Sequence, residues 1–149
     1  MDSKKKFKKP CPEHYCCHRL MLLRLENEFL CRHLETFHDL CSRQHSAETG
    51  AGKQALSPEE SVKLEEYIAF FCKLEDLRKQ GAVNLETLDR MFGFRFFAAM
   101  HNRSVHRIIN QDEKFLGPLQ GLYSEWKSFR ESKKRVIPTT EIPDWIDMR

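Results

Sequence analysis

From His14 to His45 the chain contains neither glycine nor proline. Glycine breaks helices through backbone entropy, and proline does so by removing a donor and clashing with the preceding turn. A long stretch without either, carrying apolar residues at helical intervals, is constrained to be a helix. Leu20, Leu23, Leu30, Leu34, Phe37 and Cys41 are spaced 3, 7, 4, 3 and 4 apart, which lines one stripe of a helical repeat. The pattern predicts a first helix of about 28–30 residues with that stripe buried. Residues 46–56, with two glycines, read as a small-residue linker.

Three further helices follow. Ser57 is an N-cap candidate, Pro58 sits at the first helical position, and Glu60 completes a capping box. Leu64, Tyr67, Ile68, Phe71 and Leu74 form the buried stripe of this second helix, and Lys79-Gln80-Gly81 ends it. Asn84 caps a third helix with Leu85, Leu88, Phe92, Phe96 and Ala99 facing inward. That helix either runs to Ile109 or breaks near Asn102. Gly93 interrupts its stripe, which suits close packing. Phe92, Phe94, Phe96 and Phe97 point in several directions, so one or more is expected to contact another helix or chain, against the competing reading that all four are buried within the bundle. A fourth helix is expected from Gly117-Pro118 to about Lys134, with Leu119, Leu122, Tyr123, Trp126 and Phe129 buried. No strand pattern of any length and no internal repeat is present. The fold class is therefore all-α, a four-helix bundle-like domain with a long first helix and an extended C-terminal tail. The expected organisation is a basic disordered tail over 1–13, the bundle over 14–134, and the extended tail over 135–149.

Charge narrows the function. The chain carries +3, but residues 1–9 hold five lysines and one acid. The rest has 20 basic and 21 acidic residues, so the folded part is near neutral. A dedicated nucleic-acid domain would show a basic face on the fold itself. No apolar run reaches the ~18 residues of a membrane span, and no signal-peptide pattern is present. An intracellular, cytoplasmic location is expected, with a nuclear one as the variant for a eukaryotic or viral source, and the six cysteines are expected to stay reduced.

Phe70-Phe71, Leu74, Leu77, Gly81, Asn84-Leu85-Glu86 and the aromatics across 92–97 form a pattern that resembles a bacterial family of unknown function. Its members are often tethered to the inner membrane by one N-terminal helix, followed by a small helical domain. The resemblance covers residues 57–130 and implies a helical fold. The first helix of this chain departs from the family by carrying too many charges to span a membrane.

Five of the six cysteines and five of the seven histidines lie in residues 11–45. Thiolate and imidazole together suit zinc. One group is Cys11, His14, Cys16, Cys17 and His18; the other is His38, Cys41 and His45. Neither has the paired Cys-x2-Cys spacing of a strong zinc signature. The competing reading makes Cys31 and Cys41 small apolar core residues and leaves the histidines solvated. No cofactor is expected, with zinc as the alternative.

Arg32 precedes His38 by six residues, and Arg95 precedes His101 by the same interval. The spacing is similar to the Arg-(4–6 residues)-His motif of helical ribonucleases of the HEPN type. There, arginine would stabilise a phosphate and histidine would transfer a proton. Lys4, Lys5, Lys6, Lys8 and Lys9 suit nuclear import, a membrane surface or RNA, against a plain solvated terminus. Gly50 to Lys53 reads Gly-Ala-Gly-Lys but lacks the full phosphate-loop spacing. Ile142, Trp145 and Ile146 make the C-terminal tail apolar enough to dock, on its own bundle or on a partner. The leading expectation is a non-enzymatic helical module that binds another protein. The alternative is a nucleic-acid-directed protein, either a zinc-stabilised binder or a HEPN-like ribonuclease.

Overall fold

A computed structural model describes residues 12–48 and 56–137, with side chains from His18 to Cys41 and from Leu56 to Ile137. Among these residues the fold is all-α, with no strand. Helix α1 (Pro12–Glu28) passes into a π turn (Phe29–His33) and then into α2 (Leu34–Glu48) without a break. Helices α3 (Pro58–Lys79), α4 (Leu85–Met100), α5 (Arg103–Gln111) and α6 (Glu113–Ser132) follow. The α1–π–α2 rod, α3, α4 and α6 form a four-helix bundle-like arrangement, and α5 is a short link between the last two.

Helix α3 is the hub. It touches the π turn, α2, α4, α5 and α6. The expected stripe of Leu64, Tyr67, Ile68, Phe71 and Leu74 is buried, and Phe70 and Glu75 widen it. Glu75 is tolerated inside because Arg78 donates two hydrogen bonds to it, Nε at 2.7 Å and Nη2 at 3.0 Å. Arg78 also pairs with Glu125 on α6 at 2.7 Å. The predicted capping box is present, with Ser57 and Glu60 each accepting from the other's backbone N–H. The helix ends at Gly81, whose φ is +74°, a conformation that favours glycine.

Helix α4 starts at Asn84 as expected. It breaks at Asn102, whose side chain accepts from the N–H groups of Ser104 and Val105 and caps α5. Phe92, Phe96 and Phe97 are buried, while Phe94 is 59% exposed. Phe96 stacks on Trp126 of α6 with ring centroids 4.5 Å apart.

Two expectations need correction. Helix α6 begins at Glu113, not at Gly117-Pro118. Asp112 caps it, its side chain accepting from the Lys114 N–H, and Phe115 is already buried in the first turn. Pro118 therefore lies inside the helix and removes one backbone donor there. The second correction is to the first helix. Leu20, Leu23 and Leu30 are exposed, by 55%, 53% and 47%. The buried row is Leu25, Phe29, His33, Phe37 and Leu40. Of the predicted stripe only Phe37 is buried, with Leu34 and Cys41 partly so.

The π turn explains the difference. Three steps of four residues, from Leu25 to Phe37, would carry that row about 120° around an α-helix. The wider π turn absorbs one residue, which brings His33, Phe37 and Leu40 back over Leu25 and Phe29. A uniform 3.6-residue repeat cannot find this row.

Candidate functional site

Phe29 opens the π turn, and the Leu34 N–H donates back to its carbonyl. Its ring is fully buried against Tyr67 and Phe70 of α3 and Phe92 of α4. The Arg95 guanidinium lies over the same ring, 4.4 Å from its centroid, in cation–π geometry. Tyr67 donates to the Arg95 carbonyl at 3.3 Å. His33 closes the turn. It is 4% exposed and packed against the rings of Phe29, Tyr67 and Phe70. Its Nδ1 is buried without a hydrogen-bond partner among the described residues. Burial pushes its pKa below the usual imidazole value, and the charges of Arg32 and Lys73 add to that. Glu28 and Glu66 oppose the shift.

The outward side of the turn faces a cleft of about 390 Å³ lined by Arg24, Asn27, Glu28, Cys31, Arg32 and Lys73. Lys73 bonds Glu28 at 2.7 Å. The exposed Cys31 thiol donates to the Asn27 side-chain oxygen at 3.6 Å. In an unbroken α-helix Arg24 and Arg32 would stand about 80° apart around the axis. The additional residue of the π turn reduces this to about 20°, so both arginines reach one cleft. The same insertion turns His33 inward. Leu20, Leu23 and Leu30 form an exposed row beside these groups.

A second polar cluster holds the end of α6. Asp89 is buried on α4, and Trp126 Nε1 donates to it at 2.8 Å. Arg130 Nε lies 2.8 Å from the same carboxylate as a charge contact without hydrogen-bond alignment. Arg135 bonds Asp89 at 2.7 Å and Glu86 at 2.7 Å. Arg130 also donates to the Val136 carbonyl at 2.9 Å. Gly93 makes room for this cluster: a Cβ there would sit 2.6 Å from Asp89 Oδ1. The glycine makes room for the Asp89 carboxylate, with Arg130 of α6 in ordinary contact on the same side.

The residues singled out in the sequence are spread out. Arg32 lines the cleft, but His38 does not. His38 is exposed further along α2, with its ring 5.9 Å from that of Phe37. Arg95 faces Phe29, whereas His101 bonds the Tyr123 hydroxyl on α6 at 3.0 Å. Neither Arg–His pair therefore shares a surface. His18 is exposed on α1. Cys41 is half-buried, and burial pushes its thiol pKa up. Cys72, also half-buried, is pushed up to about 11 by burial. Among the described residues no three His, Cys, Asp or Glu side chains gather around a point suited to a metal. The side chains of His14, Cys16, Cys17 and His45 lie outside the described ones, as do Cys11, the lysines Lys4, Lys5, Lys6, Lys8 and Lys9, and the tail residues Ile142, Trp145 and Ile146. No helix among the described residues is long and apolar enough to cross a membrane.

Sequence reasoning missed Arg24, Asn27 and Lys73, and it assigned Leu20, Leu23 and Leu30 to the core. The usable signal was the row Leu25, Phe29, His33, Phe37, whose repeated four-residue step is too long for a straight α-helix. Compared with protein-family models, with curated proteins and with solved structures, the chain matches none. The functional reading rests on its own residues.

Proposed function

We propose that the chain is a non-enzymatic helical module that binds another protein, with the outer face of the π-turn helix as its contact surface. The observation that supports this is the exposed row of Leu20, Leu23 and Leu30 on a single helix. Single surface leucines are ordinary; three on one side of a helix, with exposed Glu26 and Asn27 between Leu23 and Leu30, offer apolar area that a partner covers. An amphipathic helix from a partner laid along that row would bury leucines from both sides. The tail residues Ile142, Trp145 and Ile146 offer this reading a second contact.

Site-specific photo-crosslinking tests it. A photoreactive residue at position 23 or 30 should give a discrete protein adduct in extract from the native cell. The same residue at exposed Arg107 on α5 should give none. Equal or absent labelling at all three positions would remove the proposal.

A further inference from the structure

We propose that the cleft between the π turn and α3 binds a phosphate group, carried on a side chain of the peptide that docks along Leu20, Leu23 and Leu30. The peptide half rests on the protein-binding reading above; the anion half rests on the cleft alone.

The lining is rich in donors and poor in acceptors. Arg24 and Arg32 each offer five N–H groups, and among the described residues neither forms an ion pair. Glu28 is the cleft's one acid, and Lys73 already engages it. Asn27 uses its side-chain oxygen on Cys31, which leaves its amide hydrogens for a ligand. Three cations against one acid leave a net charge that the roughly −1.5 to −2 of a phosphate monoester balances better than a single carboxylate. Guanidinium forks bind such oxyanions in bidentate fashion. The two arginines stand two helical turns apart, about 10.5 Å along the axis, so they can close on the group from either end. A peptide fits better than a membrane. The opposite flank of the leucine row carries exposed Glu26, which an anionic lipid surface would repel.

The test uses the full chain and nuclear magnetic resonance of the arginine Nε–H groups and the His33 ring. The probes are inorganic phosphate, a leucine-containing phosphoserine peptide, its unphosphorylated twin, sodium acetate, and phosphatidylcholine vesicles with and without phosphatidic acid. Phosphate and the phosphopeptide should produce saturable shifts at Arg24 and Arg32, the phosphopeptide at lower concentration. An anion near Arg32 and Lys73 should also raise the pH at which His33 titrates. Arg32→Gln and Arg24→Gln should each weaken phosphate binding roughly tenfold, as loss of a charge-assisted hydrogen bond does. Non-saturating shifts, an equal response to acetate, or indifference to both substitutions would overturn the site. Binding to the acidic vesicles with none to the phosphopeptide would overturn the peptide source. Phosphate binding with no crosslink at either position 23 or 30 would leave the anion site standing and remove the docking reading; a crosslink without phosphate binding would do the reverse.

Discussion

Helix α3 and the rod formed by α1, the π turn and α2 lie side by side in opposite directions. Lys73 near the end of α3 meets Glu28, and Leu64 near its start lines a pocket with Leu40. They share a core but bury themselves differently. Helix α3 is surrounded by neighbours and keeps one register from its capping box to Gly81. The rod lies at the edge and keeps its inner row aligned only by inserting a residue at the π turn. What the insertion displaces outward is the donor-rich part of the surface. A regular helix at the centre of a bundle has no freedom to do this, because a shift of register would move apolar groups off every neighbour at once.

Deletions test that contrast most strongly. Removing exposed Ala69 from α3 rotates everything after it by about 100°, which should abolish cooperative unfolding in urea. Removing exposed Cys31 from the π turn should convert it to a plain α turn with both flanks still in register. We expect that variant to stay within about 1 kcal/mol of the parent, the range of ordinary surface changes and small strain relief. Equal damage from both deletions would show that the turn is not a register device.

Single truncations come next. Phe29→Ala should cost about 3–5 kcal/mol in chemical denaturation, the range for a buried aromatic, and should release Arg95 from its ring. Asp89→Ala removes the one acceptor shared by Trp126, Arg130 and Arg135. It should cost about 3 kcal/mol, because buried partners are left uncompensated. Ser57→Ala removes a single cap and should cost about 1 kcal/mol, measured by the thermal midpoint.

The smallest effect concerns pH. His33 titrates below its unfolded value when folded. Between the folded pKa and about 6.5 the unfolded chain binds more protons. Stability should therefore fall as pH drops through that window and level off below it. His33→Leu should flatten part of the fall, read from denaturation midpoints at a series of pH values. An unchanged slope would show that His33 takes up its proton as readily in the fold as in the unfolded chain.

Local signals in the sequence were enough wherever one register holds through an element. The Ser57 and Asn84 caps, the Gly81 stop and the inward row of α3 all follow from short-range chemistry, whereas the sequence left the break at Asn102 open against a run to Ile109. The cleft was not found from a uniform 3.6-residue repeat: the four-residue steps of Leu25, Phe29, His33 and Phe37 carry the signal, but the rings that Phe29 packs on, Tyr67, Phe70 and Phe92, lie on other helices. Arg32 was noticed for its spacing to His38, yet the structure puts it beside Arg24 and Lys73 instead. The start of α6 was misplaced because Gly117-Pro118 reads locally as a helix start, with proline in the first turn, whereas Asp112 and the burial of Phe115 decide the outcome.

The clamp at the end of α6 has a mechanical consequence. Asp89, Glu86 and the Val136 carbonyl fasten Arg130 and Arg135, so the chain leaves the bundle from a fixed mooring at Ile137. Trp145 is eight residues further on, and covalent geometry limits it to about 29 Å from that point whatever path the chain takes. Such a leash sets the local concentration of whatever it carries, in the millimolar range for short tethers. Arg130 still holds the Val136 carbonyl when Arg135 is lost, so only Arg130→Ala combined with Arg135→Ala cuts the mooring; that would lengthen the leash without altering a single residue on it, and any grip that Trp145 exerts, on this chain or on another, would loosen by dilution alone.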